Sequence, residues 1–468
     1  MNSNSAKYRF SFYALTVLFF MWGFITVMND VLINTFPEVF ELNARETSVI
    51  QLAFFGSFFM ISLAYFLFSV IAKKDIINSI GYKNGIVSSL LICSIGCAGF
   101  YFAAELESYQ WFINSLICLG AGVTFLQICA NPFVTILGSE KEASSRLNLA
   151  QGLNSLGTTL GPIVGVLLIY AVYAGNSEIN AVGKTYLIYG VIFLFMAIIF
   201  KFLNIPDFKS EVELSSRFSV LKSKQLLLGI VAIFCYVGAE VAIGSWIGKF
   251  SKIPSIMNAS ETQANSYLAF FWGGLMIGRL MASISLNSNY TQRTKIIRMS
   301  LTALAVFFLI WIVNGIQIDK TNNGAISFSM ISFNQIWIYL VFMVLSVIGF
   351  ILGKGNAARL IIIFSLFNVM LISLGILFDG AFAFWCILGT GLFFSVGWSN
   401  IFALSIKGLG NETSIGSSLL VMAIVGGAIL PGIQSNIIDE HGVQLSFIIP
   451  LIAVLFLVYF GFNRYKSN

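Results

Sequence analysis

Long apolar stretches alternate with short polar connections along the whole chain. A helix that crosses a bilayer needs about 20 apolar residues, because the hydrocarbon layer is about 30 Å thick and a helix rises about 1.5 Å per residue. The first stretch is too long for the apolar part of a cleaved signal peptide, so we expect it to stay in the mature protein. The pattern predicts fourteen spanning helices, near residues 10–36, 48–71, 84–104, 110–137, 146–174, 184–203, 225–248, 264–285, 296–314, 335–352, 359–377, 381–405, 414–437 and 444–463.

Composition and charge point to a membrane protein as well. Apolar residues make up 58% of the 468 positions and charged residues 10%, against about 25% charged residues in a soluble domain. Cytoplasmic loops of membrane proteins are rich in Lys and Arg, and with a cytoplasmic N-terminus nearly all of the 26 basic residues, Arg279 among them, fall in inner loops. We therefore predict a multi-pass protein of the cytoplasmic (inner) membrane with both termini in the cytoplasm. The outer loops then hold only Arg45, Lys184, Lys249, Lys252 and Lys320.

Several classes of function lack their sequence signatures. The chain contains no phosphate-binding loop, no paired-cysteine metal site and no HExxH motif. All six cysteines lie in apolar stretches, so they do not form the disulfide framework of a small secreted domain. The basic residues are scattered singly rather than clustered with aromatic residues, which argues against a nucleic-acid partner. We therefore expect no enzymatic activity, no cofactor and no metal.

The two halves of the chain share short sequence matches. Residues 52–55 and 268–271 both read Leu-Ala-Phe-Phe, 216 positions apart, and residues 137–140 resemble residues 409–412, 272 positions apart. The difference of 56 residues is the length of two helices with their connections, so we predict a two-helix insertion near 296–352 in a six-plus-six repeat. The longest polar connection becomes the linker between the bundles. This predicts an N-terminal bundle over 1–204, a cytoplasmic linker over 205–224 and a C-terminal bundle over 225–468.

Two acidic residues lie inside predicted helices, Asp30 in the first and Glu240 in the seventh. A charged side chain at the centre of a bilayer costs about 2.5–3.5 kcal/mol on insertion scales, so those that occur there usually face a cavity. The first and seventh helices are mates in the repeat, and a carboxylate held away from water can load and release a proton. We therefore predict that both residues couple transport to a cation. A structural hydrogen bond or ion pair is the alternative interpretation.

Uncharged polar residues form two stripes at helical spacing, in the fourth and fifth predicted helices. Amide side chains offer both donors and acceptors, as a polyhydroxylated solute requires when it leaves water. Hydrogen bonds between helices are the alternative use of such residues. Trp398 offers a surface on which a sugar ring can stack. The stripes consist of Thr124, Gln127 and Asn131 in the fourth helix, and of Asn148, Gln151 and Ser155, with Asn154 beside them, in the fifth.

Four short segments carry a family resemblance. They are Phe-Met-Trp-Gly-Phe at 20–24 with Asn29 and Asp30, Ala-Asn-Pro-Phe-Val at 130–134, Arg-Leu-Asn-Leu-Ala-Gln at 146–151 with Asn154 and Ser155, and Tyr-Val-Gly-Ala-Glu at 236–240. Together they resemble the fucose permease and glucose/galactose transporter family, a branch of the major facilitator superfamily. The resemblance runs through both halves and leaves out the predicted insertion.

This resemblance implies an all-helical fold of two six-helix bundles that rock around a central cavity and import a sugar with a proton. By position, Asp30 matches a helix 1 carboxylate that the family uses in proton coupling, and Gln151 and Asn154 match helix 5 positions tied to sugar binding. The chain departs from the family at Gln127, where fucose permease has a glutamate, and at residues 394–399, where the family commonly reads Asn-Ser-Ile-Met-Phe-Pro. A fucose substrate and a two-carboxylate proton path through helix 4 therefore do not follow from the resemblance.

We predict a secondary active importer of a monosaccharide, coupled to protons or sodium ions and functional as a monomer in the lipid bilayer. The predicted coupling residues are Asp30 and Glu240. An efflux antiporter is the first alternative, because the glycines and proline within 157–165 resemble an antiporter motif of helix 5. A non-transporting sugar sensor is the second. The predicted sugar-binding residues are Asn29, Gln127, Asn131, Gln151, Asn154 and Trp398.

Overall fold

The computed structural model describes residues 3–42, 44–173, 177–206, 218–319 and 325–467. Within these ranges, thirteen helices are long and apolar enough to cross a membrane. A further apolar helix, Ile338–Gly353, has only 16 residues, about 24 Å of length. It lies where the sequence predicts the tenth of fourteen spans. The predicted all-helical membrane fold is confirmed.

In the N-terminal half, long helices follow one another through short connections. One of them, α6, continues as a π-helical turn over Leu168–Val172. The short helix α3 is capped by Asp75, whose side chain accepts a hydrogen bond from the backbone N–H of Asn78. The helices are α1 (Ser3–Val39), α2 (Ala44–Ala72), α3 (Ile76–Ile80), α4 (Tyr82–Glu105), α5 (Tyr109–Ile136), α6 (Ala143–Leu167) and α7 (Glu178–Phe202).

The C-terminal half contains more elements, and two of its predicted spans are broken. Its elements are α8 (Lys224–Lys252), α9 (Glu261–Ser285), α10 (Gln292–Asn314), β1 (Ile316–Asp319), β2 (Ala325–Phe328), α11 (Phe333–Ile336), α12 (Ile338–Gly353), α13 (Ala357–Leu377), α14 (Gly380–Phe394), α15 (Gly397–Ile406), α16 (Thr413–Met422), α17 (Gly426–Ser446) and α18 (Ile448–Ser467). The span predicted near 381–405 divides into α14 and α15, and the span predicted near 414–437 divides into α16 and α17. Broken helices are tolerated at membrane depth where protein surrounds them, and the residues at the first break, Ser395 and Val396, are buried.

A two-stranded hairpin joins α10 to the helices that follow. Strands β1 and β2 are antiparallel, with Ile316 opposite Phe328. The sequence pattern does not predict these strands. Four-residue strands are shorter than the 5–6 residues of an average strand, so their alternation of side chains gives only a weak signal.

The same helix-packing scheme occurs in both halves. In the first half α1 packs on α6, and α4 packs on α5 and α7; in the second, α8 packs on α17, and α13 packs on α14 and α18. Helices α10 and α12 have no counterpart in this scheme: α10 packs on α9, while α12 packs on α13 and α14. This arrangement agrees with an insertion into a repeat of six helices. The predicted domain boundaries stay a prediction, and residues 207–217 of the predicted linker lie outside the described residues.

Glycines allow the closest helix contacts in each half. A side chain at Gly157 of α6 would collide with the backbone carbonyl of Phe20 in α1. A side chain at Gly426 of α17 would collide in the same way with the carbonyl of Phe234 in α8. Small residues at such contacts let two backbones approach. The glycine series of α6 therefore serves packing against α1.

The two halves meet at one face of the molecule, which we call the closed face. It carries the connections 73–75, 137–142, 286–291 and 407–412. Helix α2 packs there against α16. Lys407 Nζ lies 3.7 Å from Glu140 Oε1, so opposite charges from the two halves also meet at this face.

Candidate substrate and coupling site

Amide side chains of α5 and α6 meet inside the N-terminal half. Gln127 and Asn131 of α5 are buried, and Gln151 of α6 brings its Nε2 to 3.5 Å from Asn131 Oδ1. Asn131 Nδ2 has no hydrogen-bond partner among the described residues. A buried donor without a partner is costly, so this nitrogen is suited to bind a hydroxyl oxygen of a solute.

A charged pair lies next to these amides and bridges the two halves. Arg279 of α9 donates from Nη1 to Ser155 Oγ of α6 at 2.8 Å. Its Nη2 lies 3.9 Å from Glu240 Oε2 of α8. The sequence-based placement of Arg279 in an inner loop is wrong, because the residue lies within α9, is only 8% exposed and contacts the opposite half.

Ser155 connects the amides to the charged pair. Its Oγ donates to the backbone carbonyl of Gln151, one turn earlier on α6, at 3.0 Å. The residues Asn131, Gln151, Ser155, Arg279 and Glu240 therefore form one continuous set of polar contacts, which we call the polar chain. It runs from α5 through α6 and α9 to α8.

Two predicted sugar-binding residues have other contacts in this structure. Asn154 donates from Nδ2 to the backbone carbonyl of Phe19 in α1 at 3.0 Å. Trp398 is 7% exposed, and its ring stacks on Phe402 with 5.0 Å between centroids. Neither residue makes one of the hydrogen bonds of the polar chain, and their roles in binding a sugar stay predictions.

The remaining predicted site residues are Asn29 and Asp30. Their backbone belongs to α1, but their side chains lie outside the part of the chain that the structure describes. Asp30 therefore stays a predicted coupling residue, and Asn29 a predicted sugar-binding residue.

The first turns of α6 hold the halves together towards the closed face. Asn148 donates from Nδ2 to Asn400 Oδ1 of α15 at 2.9 Å. Ser145 donates from Oγ to the backbone carbonyl of Ser283 in α9 at 2.6 Å. The polar stripe of α6 thus has two parts, one that joins the halves and one that belongs to the polar chain.

A buried carboxylate contributes to the closed face. Asp75 accepts a hydrogen bond from Ser414 Oγ of the opposite half at 2.6 Å, and another from Tyr65 Oη at 2.8 Å. Asn78 extends this contact, because its Nδ2 donates to the backbone carbonyl of Asn411 at 2.5 Å. Sequence analysis did not single out Asp75, since an acidic residue in a connection usually faces water.

Sequence reasoning also missed Arg279, although a signal for it was present. The residue stands in an apolar run of α9 between Phe270 and Met281, six positions before the helix ends. No cluster of three or more His, Cys, Asp or Glu side chains able to hold a metal ion occurs among the described residues. The polar groups that the structure brings together in the polar chain are amides, one hydroxyl and one ion pair.

Comparisons with known proteins identify the family. No family model matches the chain. The glucose/galactose transporter of Brucella abortus is 36% identical, over 99% of this chain and 96% of the relative. The L-fucose-proton symporter of Escherichia coli is 26% identical, over 99% of this chain and 94% of the relative.

The solved structures agree on the fold. FucP, a major facilitator superfamily transporter solved in an outward conformation, is 23% identical and matches with a TM-score of 0.73, covering 98% of this chain and 99% of that one. The relatives are transporters and not enzymes. The chain belongs to the glucose/galactose transporter family and is a multi-pass membrane transporter for sugars with the major facilitator fold.

Proposed function

We propose that the protein imports a monosaccharide together with a cation, most readily a proton, by alternating access. The observation that carries this proposal is the polar chain, which joins the amides Asn131 and Gln151 to the buried pair of Glu240 and Arg279. A solute that binds the amides and a cation that binds the carboxylate then act on one set of contacts between the two halves.

The amides determine the class of substrate. Gln127, Asn131 and Gln151 present donors and acceptors in a buried setting, which suits the hydroxyls of a hexose. A sugar ring also has apolar faces, and Trp398 offers an aromatic surface to one of them. Relatives named for glucose, galactose and L-fucose support a monosaccharide.

Two carboxylates carry the coupling in this proposal. Asp30 on α1 and Glu240 on α8 occupy helices that pack alike in the two halves. A relative named as a proton symporter supports protons over sodium ions. Gln127 does not ionise, so helix α5 contributes binding rather than a second coupling charge.

The orientation follows from charge. Lys and Arg concentrate in the loops that face the cytoplasm, and these include the closed face. We place the protein in the inner membrane, with the closed face and both termini on the cytoplasmic side. A single copy of the protein contains all contacts of the polar chain, so we propose that it works as a monomer.

Asp30→Asn tests the coupling. The variant cannot release or take up a proton at this position, so we expect it to lose accumulation of sugar against a gradient while sugar exchange continues. Radiolabelled D-galactose uptake and counterflow in proteoliposomes separate the two activities. Full accumulation by Asp30→Asn would exclude Asp30 from coupling. The matched control is Asp379→Asn, which removes an exposed carboxyl in the connection before α14. This variant should behave like the wild type.

A further inference from the structure

Arg279 contacts both halves of the molecule from within the polar chain. Its Nη1 donates to Ser155 Oγ in the N-terminal half, and its Nη2 faces Glu240 in its own half. We propose that Arg279 is the positioning residue through which a monovalent cation at Glu240 releases the closed face. This inference rests on the proposed function, since it concerns how the cation acts.

The charged pair is buried and incompletely bonded. Glu240 is 9% exposed and Arg279 8%. The 3.9 Å between Nη2 and Oε2 exceeds hydrogen-bond distance, and neither Glu240 Oε2 nor Arg279 Nε has a hydrogen-bond partner among the described residues. A buried charge that loses its counter-charge is strongly destabilising. Loss of either charge alone therefore leaves the other charge buried without a counter-charge.

Two titratable side chains lie near Glu240. Arg279 approaches from α9, and Tyr236 lies one turn earlier on α8. A tyrosine is neutral near pH 7, so Arg279 supplies the opposite charge. The position of the guanidinium thus depends on the charge of the carboxylate.

A cation at Glu240 removes the charge that holds Arg279 in place. A proton neutralises the carboxylate, and a sodium ion occupies the oxygen that faces the guanidinium. Arg279 stays charged in both cases. Its hydrogen bond to the neutral hydroxyl of Ser155 does not replace the lost counter-charge, so the guanidinium moves towards water and its contact with the opposite half breaks.

The other bonds between the halves near this point do not respond to a cation. Ser145 bonds to the carbonyl of Ser283, and Asn148 bonds to Asn400. All four groups are neutral at any physiological pH. Among these bonds, only the one made by Arg279 can therefore make opening of the closed face depend on a cation.

The sugar acts on the same turn of α6. Ser155 Oγ accepts from Arg279 and donates to the carbonyl of Gln151, whose side chain faces Asn131. A sugar hydroxyl bound by Gln151 and a cation bound by Glu240 thus both change the surroundings of Ser155. Both ligands therefore act on the contact between Ser155 and Arg279.

Three variants test the inference in proteoliposomes with radiolabelled D-galactose. Arg279→Gln should continue sugar counterflow but lose roughly tenfold in accumulation driven by a cation gradient, within the usual range of coupling between two sites. Glu240→Gln leaves an unpaired guanidinium and is expected to fold less well. The double variant Glu240→Gln/Arg279→Gln removes both charges, should fold, and should transport like Arg279→Gln. Arg293→Gln, an exposed arginine at the start of α10, is the control for loss of one positive charge.

The transport experiment distinguishes failure of this inference from failure of the proposed function. Proteoliposomes receive an inward proton gradient in one arm and an inward sodium gradient in the other, which identifies the cation. Absence of wild-type uptake in both arms would contradict the proposed function. Two results would overturn the role of Arg279 and leave the proposed function standing. In the first, Arg279→Gln accumulates as much sugar as the wild type. In the second, the loss of transport in the double variant equals the sum of the losses in Glu240→Gln and Arg279→Gln.

A second readout measures conformation rather than transport. Spin labels at Lys74→Cys and Asn411→Cys, both exposed positions at the closed face, report the distance between the halves in a variant whose six native cysteines are serines. We expect the cation to lengthen this distance in the wild-type background and to leave it unchanged with Arg279→Gln. An equal response in both would overturn the inference.

Discussion

At the scale of single residues, a second buried carboxylate links protonation to the closed face. Asp75 accepts hydrogen bonds from Ser414 of the opposite half, from Tyr65 and from the backbone N–H of Asn78. Burial raises the pKa of Asp75 above its ordinary value of 3.8, and these hydrogen bonds only partly oppose that shift. Since the pKa is higher in the closed state than in water, protonation of Asp75 stabilises the closed state.

The resulting pH dependence can be measured. The contribution of Asp75 to the closed state is complete below the ordinary pKa of an aspartate and is lost as the pH rises through the raised value. We expect the distance between spin labels at Lys74→Cys and Asn411→Cys to lengthen over this acid range. Asp75→Asn should remove that part of the change, whereas Asp379→Asn should keep it. A pH response of equal size in Asp75→Asn and in Asp379→Asn would contradict the account.

Sequence reasoning found some residues of the site and missed others for a physical reason. Gln151 and Asn131 were predicted from helical spacing, and Glu240 from its position in an apolar stretch. Arg279 was counted among the basic residues of the inner loops. Its partner Ser155 lies 124 positions away along the chain, so the sequence did not reveal their contact. Spacing reveals which residues share a face of one helix, but it does not show which helix that face meets.

At the scale of elements, the predicted insertion, α10 and α12, packs tightly within the C-terminal half. Tyr339 of α12 donates its hydroxyl to the backbone carbonyl of Phe270 in α9 at 2.9 Å, and Phe307 of α10 packs against both rings. Gly274 lies under the Tyr339 hydroxyl with no room for a side chain. The insertion therefore contributes to stability through α9, the helix that carries Arg279.

Tyr339→Phe tests whether the insertion is structural. Loss of one buried hydrogen bond should lower the free energy of unfolding by about 1 kcal/mol, seen as a lower melting temperature in detergent. The KM for sugar should not change, because Tyr339 makes no contact with the polar chain. Tyr459→Phe, on an exposed part of α18, is the matched control. A changed KM with an unchanged melting temperature would instead assign the insertion a direct part in transport.

The elements themselves were largely predictable. Apolar length alone predicted the spanning helices. The unequal offsets of two sequence matches predicted an insertion near 296–352, which covers α10 and α12 and stays a prediction. The breaks between α14 and α15 and between α16 and α17 were not predicted. Both broken spans keep a mean hydropathy high enough for one continuous spanning helix, 1.6 over Gly380–Ile406 and 1.9 over Gly410–Ser446. Hydropathy therefore gives no sign of a break that depends on packing against neighbouring helices.

At the scale of the whole molecule, two similar bundles are joined at one face. The polar chain crosses between them through Ser155 and Arg279, and the closed face adds the contact of Asp75 with Ser414. A rocking motion that opens this face must break both sets of bonds. In the proposed mechanism, sugar and cation lower the cost of that motion because both act on contacts of the polar chain.

Cation-driven sugar uptake is the most direct test of the central claim. Purified protein in proteoliposomes is given radiolabelled D-glucose, D-galactose or L-fucose, with an inward proton gradient, an inward sodium gradient or neither. We predict accumulation of at least one of these sugars above its external concentration under one cation gradient, and only equilibration without a gradient. Two results would contradict the account. One is sugar uptake that neither gradient changes, and the other is export of the sugar in response to an inward proton gradient.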